Sequence, residues 1–290
     1  MTDDLKALQA KRRRAMMQAM TRICVIVLSI YVGLGLLLFF GQRAFIYPGQ
    51  YFGSVGTPAQ EGIKGPIDLR FKTADGLELH AWYTPVRDAG KPVILFFHGN
   101  GMHIKAFYPK ANFYIEQGYG AFICEYRGFG GNPGKPTEQG LYNDAEACLA
   151  TLKEKASQDV VYYGESLGTG VAVNLSLKHP PKGIVLESPY SSVVDVAKNT
   201  YGWYPVDMMV DDKFDSIGKI DQIKVPVLIV HGKIDNLIPF KLGQRLFEKA
   251  NRPKELHAIS GGAHEDLYSF GAGDLVSNWL DKLVKGDKAP

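Results

Sequence analysis

The sequence predicts an α/β protein with a doubly wound, mostly parallel eight-stranded sheet opened by an antiparallel N-terminal hairpin. Two observations carry that expectation. Short continuous apolar runs such as PVILFFHG (92–99) and VPVLIVHG (225–232) have the length and composition of strands covered on both faces. Stretches with helical periodicity separate them, and buried strands alternating with helices make parallel βαβ units.

IDLRFKT (67–73) and LELHAWYT (77–84) flank the turn ADG and read as a β-hairpin. PVILFFHG follows as a strand, 103–117 as a helix and GAFICEYRG (120–128) as another buried strand. Within 137–155, Leu141, Ala145, Cys148, Leu149 and Leu152 fall on one helical face. DVVYYGE (159–165) reads as a strand, and LGTGVAVNLSLKH (167–179) as a helix with side chains small enough to pack closely on a sheet. GIVLES (183–188), an irregular section and VPVLIVHG come next. A helix over 239–250, the strand ELHAIS (255–260) and a closing helix over 265–284 complete the series.

The net charge of +3 is unevenly placed. Before residue 23, Lys6, Lys11, Arg12, Arg13, Arg14 and Arg22 face only Asp3 and Asp4, which leaves the rest of the chain at −1. That body offers no electrostatic footprint for nucleic acid. Residues 23–40 run for 18 residues without a charge, just enough for a helix across a hydrocarbon core of roughly 30 Å. The run exceeds the about 7–15 apolar residues of a signal-peptide core, and GQRAFIYPG behind it has no small-x-small cleavage site. A retained anchor is expected rather than a cleaved signal. The positive-inside rule then puts 1–22 in the cytoplasm as a basic tail. A linker over 41–65 and a catalytic domain over 66–290 would lie across the membrane, in the periplasm of a bacterium. Three cysteines make no disulfide framework. Cys24, Cys124 and Cys148 read as buried small apolar side chains, with a Cys124–Cys148 bridge left open.

Four loops at the carboxyl ends of strands hold the candidate chemistry, and in doubly wound sheets that is where functional groups collect. In VVYYGESLGTG, Ser166 sits between Gly164 and Gly168 at a strand-to-helix turn, where a serine hydroxyl can be exposed as a nucleophile. A serine needs a base and an acid that orients the base. His264, in SGGAHEDL after the last strand, is the candidate base. Asp235, in VHGKIDNLIP, is the candidate acid, and Glu187 at the end of GIVLE is its rival. The order serine, aspartate, histidine is the one expected of this arrangement. In FFHGNGM, Gly99 lets the backbone approach the serine, so the Asn100 N–H joins that of Leu167 as an oxyanion donor. His98 is expected to support that loop without transferring protons.

These motifs resemble the α/β-hydrolase superfamily from about residue 66 to 284. HGN (98–100), EYRGFGGNPGKPTEQGLYNDAEA (125–147), GESLG (164–168), HGKIDNLIP (231–239) and GGAHEDL (261–267) look like a subgroup of membrane-anchored serine hydrolases. That subgroup includes bacterial members of undefined substrate and eukaryotic relatives that remove palmitoyl groups from proteins. The resemblance implies Ser166, Asp235 and His264 as a catalytic triad, Asn100 and Leu167 as the oxyanion hole, and no metal or organic cofactor. YRGFGGNPG reads as a structural loop in which Arg127 pairs with a carboxylate such as Asp144.

One departure bears on substrate. Many relatives carry a large helical cap where this chain has a short insertion over 188–222, so an open, shallow site is expected. Its Tyr190, Tyr201, Trp203 and Met208 are candidates for an apolar lip that binds an acyl chain, or else for a core patch. The expected substrates are acyl esters or thioesters on a small molecule, lipid or lipidated protein near a membrane. A peptidase of the same fold is the first alternative, since such a triad also cuts amides. A catalytically silent scaffold is the second.

Overall fold

A computed structural model describes residues 2–286. Met1, at the start of the predicted tail, and 287–290, at the end of the predicted domain, lie outside the described residues. The chain divides into two units after Phe45.

The described part of the first unit is helical throughout and lies in α1 (Thr2–Ile46), whose last residue, Ile46, belongs to the second unit. It takes in the basic segment, the uncharged run and the beginning of the predicted linker. Among the described residues it is the one helix long and apolar enough to cross a membrane. Its 18-residue uncharged stretch rises about 27 Å at the helical pitch.

The second unit is built on eight strands: β1 (Ile67–Lys72), β2 (Glu78–Thr84), β3 (Val93–Phe97), β4 (Gly120–Cys124), β5 (Val160–Glu165), β6 (Gly183–Glu187), β7 (Val227–Gly232) and β8 (Lys254–Ile259). They form one sheet in the order β1-β2-β4-β3-β5-β6-β7-β8. β1 and β2 pair as a hairpin, with Ile67 opposite Tyr83, and β2 meets β4 antiparallel. All other pairings are parallel. β3, β4 and β6 are buried along their whole length, as their unbroken apolar runs require.

Helices cover both faces. On one side lie α2 (Ile104–Glu116) and, from the far end of the chain, α8 (Ala272–Lys285). On the other side α3 (Glu138–Lys155), α4 (Leu167–Lys178) and α7 (Phe240–Lys249) pack against the opposite row of strand side chains. The helix α3 begins where the Thr137 hydroxyl accepts the Gly140 N–H at 3.0 Å, satisfying a donor that has no intrahelical partner. At the centre of the first layer, Phe96 meets Phe107, Tyr114 and Tyr163 with ring centroids 5.6, 6.0 and 5.2 Å away. Burying a ring such as Phe96 contributes about 1.5–3 kcal/mol. Between β6 and β7 the chain carries only α5 (Val193–Tyr201), α6 (Val206–Met209) and a single 3-10 turn.

The structure departs from the sequence reading in four places. β4 stops at Cys124 rather than at 128, and a strand could not extend to Gly128, which takes positive φ as Gly130 and Gly131 do. The closing helix starts at Ala272 rather than at 265. Leu267–Phe270 form a 3-10 turn, and Gly271 follows with φ +82°. The expected linker over 41–65 is folded structure: 41–46 are helical, and Val55 donates its N–H to Gly130 O at 2.9 Å. Cys124 and Cys148 are buried as a disulfide, whereas Cys24 is exposed because its helix has no core of its own to enter.

Candidate active site

The strand order reverses between β3 and β5, with β4 on one side and β6 on the other. The crevice outside the carboxyl ends of the strands at such a point is where α/β sheets bind ligands.

Ser166 stands at the end of β5 with φ +49° and ψ −117°. A non-glycine residue in that region is strained by roughly 1–3 kcal/mol, and its neighbours have to allow the turn. A Cβ on Gly164 would lie 2.5 Å from Gly168 O, and one on Gly168 would lie 2.0 Å from Phe97 O. Both contacts are impossible, so the tight turn requires both glycines. Ser166 N–H donates to Glu187 O at 2.9 Å, and Ser166 O accepts from Thr169 Oγ1 at 2.6 Å. The serine is 6% exposed.

His264 reaches this hydroxyl from the loop after β8. Its Nε2 is 3.1 Å from Ser166 Oγ, and its Nδ1 is 2.7 Å from Asp235 Oδ2. Ser188, itself at φ +47°, steadies the loop by donating from its hydroxyl to His264 O at 3.4 Å. Asp235 lies in the loop after β7, where Oδ1 accepts the N–H groups of Leu237 and Ile238 at 2.9 and 2.7 Å. His231 closes the far side of the acid, with Nε2 3.3 Å from Asp235 Oδ2 and 2.9 Å from Ile238 O. The sequence reading missed this contact, which depends on how the chain turns between the end of β7 and Asp235.

The charges follow from these contacts. Burial pushes the Asp235 carboxyl up, but hydrogen bonds from His231, His264 and the Ile238 N–H outweigh it and hold the group below the ordinary carboxylate range. Burial pulls the His264 imidazole down. The hydrogen bond and charge of Asp235, with the charges of Glu165 and Glu265, outweigh that and set it above 6.5. Glu187 is occupied elsewhere. Its carboxylate accepts from Lys110 Nζ at 2.9 Å and from the Tyr163 hydroxyl, and Lys110 also holds Glu165. Burial raises the Glu187 carboxyl above its ordinary value.

The loop after β3 lies directly against the serine, for a Cβ on Gly99 would come 3.4 Å from Ser166 Cβ. Asn100 follows in that loop, and Leu167 heads α4, where its N–H has no intrahelical acceptor. His98 is fully buried, with Nδ1 donating to Gly99 O at 2.8 Å and Nε2 2.9 Å from Glu125 Oε1. Arg127 pairs with Asp144 at 2.7 Å and also with Asp75 at 2.7 Å. The guanidinium holds the Asp75 carboxyl down to about 2, through its hydrogen bond above all.

The four candidate lip residues part company. Tyr190 is 2% exposed, packs over Gly170 and donates from its hydroxyl to Leu167 O at 3.2 Å. It belongs to the core beneath the elbow, which corrects the lip expectation for that residue. Tyr201 is half-buried, with its ring 6.3 Å from that of Trp203. Trp203 and Met208 are 68% and 85% exposed.

Comparison with known proteins agrees with this architecture. The family described as serine aminopeptidase, S33, matches residues 88–205. An uncharacterized protein of Mycobacterium tuberculosis is 34% identical over 250 residues, covering 84% of this chain and 88% of its own. Alpha/beta hydrolase domain-containing protein 17B of Homo sapiens is 33% identical over 223 residues, covering 73% and 72%. Among solved structures, an esterase of Pyrococcus furiosus superposes with a TM-score of 0.64 at 19% identity, covering 79% of this chain and 95% of its own. The chain belongs to the α/β-hydrolase superfamily.

The contact between His264 and Asp235 has a direct readout. NMR titration is expected to place the His264 imidazole above 6.5. Asp235→Asn should lower that midpoint, because it removes the negative charge that favours the imidazolium. An unchanged midpoint would show that the two side chains are not in contact.

Proposed function

We propose that the protein is a serine hydrolase that cleaves carboxylic ester or thioester bonds through an acyl-enzyme. The observation that carries this reading is the placement of His264 between Ser166 Oγ at 3.1 Å and Asp235 Oδ2 at 2.7 Å. In the first step His264 Nε2 takes the hydroxyl proton as Ser166 Oγ attacks the acyl carbon. The carbonyl oxygen becomes an oxyanion, received by the N–H groups of Leu167 and Asn100. Each such donor is worth about 10²–10³ in rate. Asp235, kept ionised by its four donors, stabilises the imidazolium.

The imidazolium then returns its proton to the departing oxygen or sulfur, and the acyl group remains on Ser166. Water attacks the acyl carbon as His264 takes its proton. On collapse of the second tetrahedral intermediate the imidazolium gives that proton to Ser166 Oγ, releasing the acid and the free serine. Trp203 and Met208 supply exposed apolar surface on the insertion before β7, which supports an acyl chain as the group bound. Tyr201, in contact with Trp203, belongs with them.

The chain is also proposed to be anchored once in a membrane by residues 23–40 of α1, with its basic end in the cytoplasm and residues 41–290 on the other side. The uncharged stretch and the cluster of Lys and Arg before it support this. So does the Cys124–Cys148 disulfide, since such bonds persist outside the reducing cytosol.

Peptide cleavage is the second reading, favoured by the aminopeptidase description of the matching family. A fluorophosphonate probe is expected to label the wild type, and Ser166→Ala should abolish labelling and lower kcat by roughly 10⁴-fold or more. A folded wild type that neither labels nor hydrolyses any ester would overturn the proposal. In a panel of chromogenic esters and aminoacyl amides, the esters should turn over faster, and the reverse order would select the peptidase.

Topology has its own test. Alkaline phosphatase fused after the C-terminus should be active, because it folds only outside the cytoplasm. Activity confined to a cytoplasmic reporter would invert the orientation.

A further inference from the structure

The two proposed oxyanion donors are held in different ways. Leu167 N–H belongs to the first turn of α4 and is fixed by the helix it begins. Asn100 lies in an irregular loop after β3, where nothing in the local backbone fixes its orientation. Such a donor needs fixing from outside, because an oxyanion hole acts through donors already aimed before the charge develops.

Part of that fixation is near in sequence. The His98 ring donates to Gly99 O at 2.8 Å, and this carbonyl shares a peptide plane with the Asn100 N–H. Tyr126, through its hydroxyl, holds His98 O at 3.1 Å. These contacts set one side of the loop.

The other side is set by residues about fifty positions away. Asn100 Nδ2 donates to Ile46 O at 2.9 Å, and Gly49 N–H donates to Asn100 O at 2.9 Å. Ile46 is the last residue of α1, so its carbonyl is one of those that a helix end leaves without an intrahelical donor. Between these contacts Tyr47 is fully buried in the core, its ring 6.4 Å from that of Phe214. The turn is closed by Gln50, whose side-chain amide donates to Tyr47 O at 2.9 Å. Gly49 is packed so tightly that a Cβ would lie 2.5 Å from the Phe129 ring and 2.7 Å from Asn100 O.

We propose that the segment Ile46–Gly49 is a positioning strap for the oxyanion hole. It grips Asn100 by both its side chain and its carbonyl, so that the Asn100 N–H stays directed at the acyl oxygen. The inference rests on the hydrolase reading above, with Asn100 N–H as a donor. Asn100 is then more than a provider of a peptide N–H that any residue carries. Its side chain is the means by which the strap holds the loop.

The test uses full-length protein in detergent and a short, soluble ester, with active sites counted by fluorophosphonate titration. Asn100→Ala keeps the N–H and deletes the bond to Ile46. Gly49→Val forces a side chain against Asn100 O and Phe129. Both are expected to lower kcat per titrated site by about 10–100-fold with KM within about twofold. Both should also weaken inhibition by a trifluoromethyl ketone, whose adduct places an oxyanion in the hole, by the same factor as kcat/KM. Asn100→Gln, which retains a side-chain donor, should recover part of the loss.

A strap that only stabilises the fold would lower the melting temperature and the number of titrated sites while leaving kcat per site and ketone inhibition unchanged. That outcome overturns the proposal. If Gly49→Val does not fold, Asn100→Ala decides alone. A wild type that hydrolyses no ester and takes no fluorophosphonate would remove the underlying reading and the strap with it. A wild-type enzyme that works, beside variants with unaltered kcat, would remove the strap alone.

Discussion

With φ +49° and ψ −117°, Ser166 sits outside the basins that ordinary residues occupy, and it stays there because the surrounding contacts permit no other path. β5 ends directly before it and α4 begins directly after it. The helix approaches β3 so closely that Gly168 touches Phe97 O, and the strand leaves room only for glycine at 164. The hydrogen bond from Ser166 N–H to Glu187 O ties the turn to β6. Relaxing the serine would therefore displace a helix from the centre of the sheet. This rigidity is what gives the His264 and Asn100 loops a fixed point to meet.

Around that point the fold keeps its charges in satisfied groups. Asp235 accepts from two backbone N–H groups and faces two imidazoles. Beneath the elbow, Lys110 bridges Glu165 and Glu187 from α2. An unpaired buried carboxylate there would cost several kcal/mol. Pairing lets acidic residues sit at the carboxyl ends of β5 and β6 without competing for His264. The Glu187 oxygens accept from Lys110 and Tyr163, whereas Asp235 is the carboxylate that meets His264.

Much of this architecture was legible in the sequence, and what was hidden has physical reasons. Continuous apolar runs gave away β3, β4 and β7, because full burial leaves no room for polar alternation. Ser166, Asp235 and His264 were legible because each follows a strand that can be recognised by itself. Glu187 shared that property, and only contacts separate it from Asp235. The strap was not legible, since its bonds use the backbone groups of Ile46 and Gly49, which have no side-chain signature. Tyr190 stayed open between lip and core because an aromatic after a strand looks alike whether it lines a mouth or fills a core. The late start of α8 depends on one glycine with positive φ, and the Cys124–Cys148 pairing on a distance that sequence spacing does not contain.

The most direct measurement is to catch the acyl group on the serine. The full-length protein would be mixed with an ester whose acyl-enzyme is slow to hydrolyse, quenched in acid within the first turnover and digested for mass spectrometry. The predicted result is the acyl mass on the peptide carrying Ser166, located to that side chain and absent from Ser166→Ala. Hydrolysis of the ester with the acyl group on another residue, or on none, would contradict it.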